Sequence, residues 1–277
     1  MSDAGTKDFS RMGIHTITTK PWSIEEAAKK YARAGIKGIT VWRNAVEGRD
    51  LNEVKKLLRQ HDLDIISYCR GGFFPAAEKD KRLAAIEDNK EMIREAAALE
   101  APCLVLVCGA EPAISLEESR KQIEDGIYEI LELAGQHDIS LAIEPLHPMY
   151  ADTRSAIVTL RQANEMVEKI NSPLLGVALD VYHLWWDPDL KQEIMRCGEN
   201  GKIYGFHICD WKVPTGDFLV DRGIMGEGCI QLRQIRKWVE EAGFKGYHEV
   251  EIFSDHYWSM NQDTFLNMIM ESYQLHV

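Results

Sequence analysis

Cysteine is sparse in this sequence, and long apolar runs are missing. The 277 residues include six cysteines and no Cys-x-x-Cys pair, and a domain of this length does not need disulfides to stabilise its core. No apolar run approaches the roughly 20 residues that cross a bilayer, and residues 1–8 lack the basic and apolar regions of a signal peptide. We therefore expect a soluble, cytoplasmic protein with reduced thiols and no membrane partner.

Positive charge is also in short supply. The chain carries 32 lysines and arginines against 44 aspartates and glutamates, a net charge of −12. Such a field repels phosphate polymers and anionic lipids, so the composition disfavours a nucleic-acid partner. With 45% hydrophobic and 27% charged residues, the chain is typical of a globular protein that buries a sizeable core.

Short β-rich apolar runs alternate with longer helical stretches along the chain, an order typical of βαβ units and a parallel sheet. The pattern predicts eight strands, at residues 12–16, 38–42, 63–68, 103–108, 140–144, 175–180, 203–209 and 246–252. Ser23 and Ser115 each precede a glutamate by three residues, which predicts capping boxes at two helix starts. Gly35 and Gly243 stand in matching Ala-Gly-x-Lys-Gly segments, which predict equivalent helix-to-strand corners.

We predict a single (β/α)8 TIM barrel, an α/β fold, forming one domain over residues 1–277. Eight units of about 35 residues fill the chain, and no linker or change of composition marks a second domain. The alternative, a doubly wound sheet that binds a dinucleotide, needs a glycine-rich turn after its first strand. Residues 16–21 contain no glycine, so the barrel is favoured.

Polar residues end the last four predicted strands. Glu144, Asp180, His207 and Glu251 each follow an apolar run, and in a barrel the active site lies where strands end. A single acid or histidine in such a place is more often a helix cap or a satisfied polar group. Four on consecutive units favour one shared site. Glu249 points the same way as Glu251 and is the alternative from the eighth strand.

A divalent cation would explain this set of side chains. Three carboxylates buried together repel one another and lose their hydration. With one imidazole they form a hard donor set that suits Mn²⁺, Mg²⁺ or Co²⁺ better than a thiolate-rich zinc site. We expect one such ion, with Mn²⁺ preferred.

These residues resemble a known family, the xylose-isomerase-like sugar isomerases and epimerases, which also includes tagatose 3-epimerase-type enzymes, inosose dehydratases and endonuclease IV. The similarity lies mainly in the C-terminal half, at residues 143–146, 179–183, 206–210, 226–228 and 250–252. The resemblance implies metal binding by Glu144, Asp180, His207 and Glu251, with His183 contacting the substrate.

Further substrate contacts are predicted with less specific signals. Family epimerases use an arginine shortly after the strand-seven histidine, and here the nearest candidate is Arg222, fifteen residues beyond His207. A surface ion pair with Asp221 or Asp210 is the alternative for Arg222. Arg70 stands in a glycine-containing loop that could equally be a plain connection. Trp42 is either a stacking plane for the substrate or a core-edge residue. Three aromatic residues near Asp180 would suit a sugar ring or a contact within a homo-oligomer: Tyr182, Trp185 and Trp186.

The resulting expectation is a sugar isomerase or epimerase that removes a proton α to a carbonyl of a ketose or keto-sugar, through a metal-bound enediolate. Glu144 and Glu251 would act as the acid–base pair. The acidic chain and the lack of a phosphate-binding turn favour an unphosphorylated sugar or cyclitol. A lyase that eliminates a β-substituent shares the same first step and is the alternative. An endonuclease IV-like nuclease is a remote alternative, because histidines are missing after strands three and four. A non-catalytic sugar-binding barrel is the other alternative, but binding alone would not need the two glutamates.

Overall fold

A closed barrel of eight parallel strands in chain order forms the centre of the molecule. The computed structural model describes residues 8–277, so the first seven residues of the predicted domain lie outside the described part. The strands are β1 Met12–His15, β2 Gly38–Trp42, β3 Asp64–Gly72, β4 Cys103–Val107, β5 Ser140–Ile143, β6 Leu175–Asp180, β7 Ile203–Ile208 and β8 His248–Val250. The predicted (β/α)8 barrel is confirmed.

Helices surround the barrel and follow the strands in alternation. They are α1 Ile24–Ala34, α2 Leu51–Gln60, α3 Lys79–Leu99, α4 Leu116–Gln136, α5 Leu160–Ile170, α6 Val181–Leu184, α7 Leu190–Glu199, α8 Leu232–Glu241, α9 Asp255–Ser259 and α10 Gln262–His276. No helix within residues 8–277 is both long enough and apolar enough to cross a bilayer. All six cysteines carry free thiols, in agreement with the expected reduced state.

The predicted helix boundaries agree with local hydrogen bonds. The capping box at α1 is complete, because Ser23 accepts from the Glu26 backbone and the Glu26 side chain accepts from the Ser23 backbone. At α4, Ser115 accepts from the Glu118 backbone at 3.0 Å. Gly35 and Gly243 have φ angles of +79° and +95°, left-handed values that glycine adopts without steric cost. The two corners are therefore equivalent, as their sequences predict.

The two larger clusters of the apolar core lie on either side of the strands, and the inner one determines where the site can form. The larger cluster lies between the strands and the helices. Inside the barrel lies a smaller cluster that includes Cys69, Val105, Ala142 and Ala178. These small side chains leave room at the carboxyl end of the barrel, where residues of successive strands point inward at every second position.

Candidate active site

The side chains of Glu144, Asp180, His207 and Glu251 converge at the carboxyl end of the barrel. Each offers a ligand atom within 4.8 Å of those of the other three, and all four are buried. They end or follow β5, β6, β7 and β8. Adjacent strands place them in register, since Asp180 pairs with His207 across β6 and β7. The structure thus brings together the four residues predicted as metal ligands.

Direct hydrogen bonds fix the orientation of these side chains. Nδ1 of His207 lies 2.9 Å from Oε1 of Glu144. Oδ1 of Asp180 accepts from the Tyr182 backbone at 2.8 Å. Nη1 of Arg222 donates to Oδ2 of Asp180 at 3.0 Å and to Oε2 of Glu251 at 2.7 Å. One guanidinium therefore bridges two of the three carboxylates.

Buried charges of both signs lie close together in this cluster and shift one another's pKa values. Burial raises the pKa of Asp180 to about 7 although Arg222 is in contact with it. Burial also favours the neutral form of Glu251, but the charges of His15 and Arg222 outweigh it and hold the pKa of Glu251 well below its usual value. Burial and the charge of His15 oppose protonation of His207, but the hydrogen bond that His207 donates to Glu144 and the charges of Glu249 and Glu251 raise its pKa to about 9.

These features fit a divalent cation. Three carboxylate oxygens and one imidazole nitrogen are hard or borderline ligands of the kind that Mn²⁺, Mg²⁺ and Zn²⁺ accept. The raised pKa of His207 shows that the carboxylates attract positive charge to this place, which a dication would supply in place of a proton. Glu144, Asp180, His207 and Glu251 are the residues that would hold it.

His15 is part of this centre and was missed in the sequence. It ends β1, and its Nδ1 lies 3.0 Å from Oε1 of Glu251. The rings of His15 and His207 meet edge to face, with centroids 4.5 Å apart. A polar residue at the end of an apolar strand is the signal that identifies His207, and the same signal is present at His15.

Glu249, the alternative to Glu251, lies one layer deeper in the barrel. Its Oε2 accepts from the Thr40 hydroxyl at 2.5 Å and lies 3.3 Å from Nε2 of His15 and 3.9 Å from Nε2 of His207. Glu251 shares the ligand cluster, and Glu249 does not. The geometry therefore favours Glu251 as the ligand and places Glu249 beneath the two histidines.

Arg222 points into the barrel, so the alternative of a surface ion pair with Asp221 or Asp210 is wrong. Asp221 pairs with Lys212 instead, and Asp210 accepts from backbone N–H groups, among them those of Gly226 and Ile230. Isolated bridges join Asp210 to Gly223 and Asp221 to Ser254. These bridges fold the long loop back onto the strand ends, so the fifteen-residue separation from His207 still places Arg222 in the site.

His183 and Trp42 border the same space. Nη2 of Arg222 lies 3.2 Å from Nε2 of His183, and because arginine only donates, the ring proton of His183 lies on Nδ1. Burial and the charge of Arg222 lower the pKa of His183 well below its usual value, so the ring is neutral. Trp42 donates from Nε1 to Nδ1 of His15 at 3.1 Å. Both side chains line a small cavity beside Glu144 and Glu251.

A loop after β7 covers this cavity and is held by two phenols. Leu219 of that loop lines the cavity. The carbonyl oxygen of Phe218 accepts from the Tyr150 hydroxyl at 2.7 Å and from the Tyr182 hydroxyl at 2.8 Å. Tyr182 is buried and stacks on Trp211 with ring centroids 4.8 Å apart. Its ring therefore supports the loop. The expectation that its face is open to a sugar ring is wrong.

Arg70 lies at the edge of the same mouth. Its guanidinium carbon is 4.6 Å from the ring centroid of Phe73 and 5.8 Å from that of Trp42. A groove of about 850 Å³ runs beside it and is lined by Ile17, Trp42 and Phe253 among others. This volume is within the range of small-molecule sites.

Comparisons with known proteins agree with this geometry. A family model described as xylose isomerase-like TIM barrel matches residues 28–268. An inosose isomerase of Halalkalibacterium halodurans is 25% identical over 235 residues, which are 79% of this chain and 81% of that protein. A crystal structure of a Sinorhizobium meliloti 1021 protein is 42% identical, covers 97% of this chain and 99% of its own, and has a TM-score of 0.93.

A further solved structure shares the fold at lower identity. The IolI protein, whose crystal structure contains a zinc atom, is 20% identical with a TM-score of 0.82. The similarity covers 95% of this chain and 96% of that one. At this identity the likeness concerns the fold.

Proposed function

Because this chain belongs to the xylose isomerase-like TIM barrel family, we propose that it is a divalent-metal-dependent sugar isomerase or epimerase. The observation that carries the proposal is the buried cluster of Glu144, Asp180, His207 and Glu251 at the carboxyl end of the barrel. The substrate class is a ketose or keto-sugar, and the inosose isomerase relatives support a cyclic keto-sugar among the first compounds to test.

The proposed chemistry is removal of a proton from the carbon next to a carbonyl. A divalent ion at the cluster would polarise the carbonyl and offset the negative charge that develops on its oxygen. We assign proton transfer to Glu144 and Glu251, which lie on β5 and β8 across the mouth of the barrel. Burial favours the neutral form of Glu251, but the charges of His15 and Arg222 outweigh it and keep the group ionised at neutral pH, the form in which a carboxylate can accept a proton.

Two neighbouring residues would orient the substrate. The Nδ1 proton of His183 is buried and has no acceptor among residues 8–277, so it is free to donate to a substrate hydroxyl or carbonyl in the cavity. Arg222 holds Asp180 and Glu251 in place. Its guanidinium lies 4.4 Å and 4.9 Å from the ring centroids of Tyr182 and Phe253, which restrict its movement.

Proton exchange in D₂O tests this function directly. The metal-loaded protein is incubated with inososes and free ketohexoses, and NMR detects deuterium on the carbon next to the carbonyl. We expect incorporation in at least one substrate, and none with Glu251→Gln. The product distinguishes epimerisation or isomerisation from β-elimination. Absence of deuterium across the panel with fully metal-loaded protein would contradict the proposal.

The expected metal is Mn²⁺, because the cluster offers three carboxylate oxygens and no thiolate. Zn²⁺ belongs in the same comparison, since the IolI protein contains a zinc atom. Exchange rates are measured after removal of bound metal and reloading with Mn²⁺, Mg²⁺, Co²⁺ or Zn²⁺. The highest rate with Mn²⁺ would support this assignment, and a higher rate with another ion would replace it.

A further inference from the structure

Two arginines at the mouth of the barrel have no acidic partner. Within residues 8–277, neither Arg70 nor Arg154 has a carboxylate oxygen within 4.0 Å or donates a hydrogen bond from its guanidinium. Nε of Arg154 is buried as well as unpaired. Arginines such as Arg43 and Arg196 form ion pairs, and the half-buried Arg82 and Arg120, which have no acidic partner in the same range, donate to backbone carbonyls instead.

Arg70 owes its direction to an irregularity between two strands. Cys69 pairs with Val105 of β4, and Gly71 pairs with Leu106, so Arg70 has no partner in the ladder. Such a bulge turns the extra residue away from the regular alternation, and bulges are common at barrel rims beside active sites. Phe73 and Trp42 contact the guanidinium. Contacts through aromatic rings leave its N–H edges available to a ligand.

Arg154 is brought to the same mouth from the loop after β5. Its carbonyl accepts from the Gly109 backbone at 2.8 Å, which fixes the loop against the end of β4. Its side chain lines the small cavity together with Glu144, His183 and Glu251. Burial and the nearby charge of Arg154 lower the pKa of Arg70. Glu144 and Glu251 act on both guanidinium groups from a distance and offset part of this repulsion, but neither arginine makes a direct ion pair or donates a hydrogen bond in the part of the chain that the structure describes, so their N–H groups are left for a ligand.

We propose that Arg70 and Arg154 together bind an oxyanion group of the substrate, a carboxylate or a phosphate. The substrate would then be an acidic keto-sugar whose carbonyl end lies at the metal cluster, and in this respect the inference rests on the proposed function. Guanidinium groups bind both oxyanions through paired N–H donors. Arg222 differs from these two arginines, because its Nη1 is bound to Asp180 and Glu251 and its charge is already paired with theirs.

Three polyols with the same hexitol backbone test the inference by calorimetry on the metal-loaded protein. D-sorbitol is neutral, D-gluconate carries a carboxylate, and D-sorbitol 6-phosphate carries a phosphate. We expect at least one anion to bind about tenfold to a hundredfold more tightly than sorbitol, as two charge-assisted contacts predict. The anion that binds more tightly shows whether the two arginines recognise a carboxylate or a phosphate. Arg70→Gln and Arg154→Gln should each remove most of this preference, and Arg94→Gln on α3 should leave it unchanged.

Two results would overturn the inference. One is equal binding of all three polyols by the unaltered protein. This measurement does not depend on whether any variant folds. The other is an anion preference that survives both substitutions at unchanged metal content, which would place the anion on the metal. Deuterium exchange separates this inference from the proposed function. Exchange in neutral ketoses without any anion preference contradicts only the inference, whereas an arginine-dependent preference without exchange in any substrate contradicts only the proposed function.

Discussion

Asp180→Asn should stabilise the protein when no metal is present. Burial raises the pKa of Asp180 to about 7, whereas an aspartate in an unfolded chain has a pKa of about 3.9. Between these values the folded state binds a proton more tightly than the unfolded state, so stability falls as the pH rises through this window. At pH 8 the ionised carboxylate costs up to about 4 kcal/mol of folding free energy.

An amide at this position stays neutral and avoids that cost. Its one acceptor oxygen serves either Arg222 or the Tyr182 backbone N–H, whereas the two oxygens of Asp180 accept from both, so we expect about half of the full gain, or about 2 kcal/mol at pH 8. For a chain of this size the melting temperature should rise by roughly 4–8 °C. At pH 5 the gain should be smaller, because Asp180 is then protonated in the folded state while the unfolded chain is still largely ionised, and it should vanish only below about pH 4.

Thermal unfolding in a chelator at pH 5 and pH 8, and then with Mn²⁺, measures this effect. Asp180→Asn should lose most of the stabilisation by Mn²⁺, because one ligand charge is gone. Asp125→Asn, at an exposed ion pair on α4, is the matched control and should change little at either pH. A variant less stable than the native protein at pH 8, or one with the full response to Mn²⁺, would refute this reasoning.

Three further perturbations test other parts of the site. Glu251→Gln should lower the deuterium exchange rate by about 10²–10⁴-fold and also lower the melting temperature at neutral pH, because Arg222 and His15 lose a charged partner. A rate near that of the native protein would exclude Glu251 as a catalytic group. Glu249→Ala should reduce the free energy of unfolding by about 3–5 kcal/mol, because His15 and Thr40 lose their buried partner. Glu249→Gln should reduce it by less. If denaturant titrations give the same reduction for both variants, the contact with His15 and Thr40 does not stabilise the fold. Removal of metal with EDTA should lower the melting temperature, and free Mn²⁺ at about 1,000 times its Kd should restore about 4 kcal/mol; an unchanged melting curve would show that the cluster does not bind the ion.

Much of the site follows from strand order. Glu144, Asp180, His207 and Glu251 could be found because each ends an apolar run, and the parallel barrel places all such ends at one face. His15 obeys the same rule at β1. The choice between Glu249 and Glu251 depends on how far each lies along β8, which the alternation of side chains alone does not determine.

Other features depend on contacts between distant segments. Arg222 reaches the site through bridges that its loop makes with Asp210 and Ser254, and no local pattern in the sequence encodes those pairings. The direction of Arg70 depends on a shift of register between β3 and β4. The predicted third strand stops at residue 68, whereas β3 continues to Gly72, because Gly71 and Gly72 pair with β4 despite their low intrinsic preference for strands.

The two hydrogen bonds to the Phe218 carbonyl have a consequence for substrate entry and product release. Tyr150 follows β5 and Tyr182 follows β6, yet both donate a hydrogen bond to the same carbonyl group. Lifting this flap breaks both bonds, for a combined net cost of about 1–3 kcal/mol. The open form then makes up roughly one part in five to one part in 150 of the population. For any molecule that has to pass this loop, the rate at which the loop opens sets an upper limit on turnover, independent of the rate of the bond-making steps.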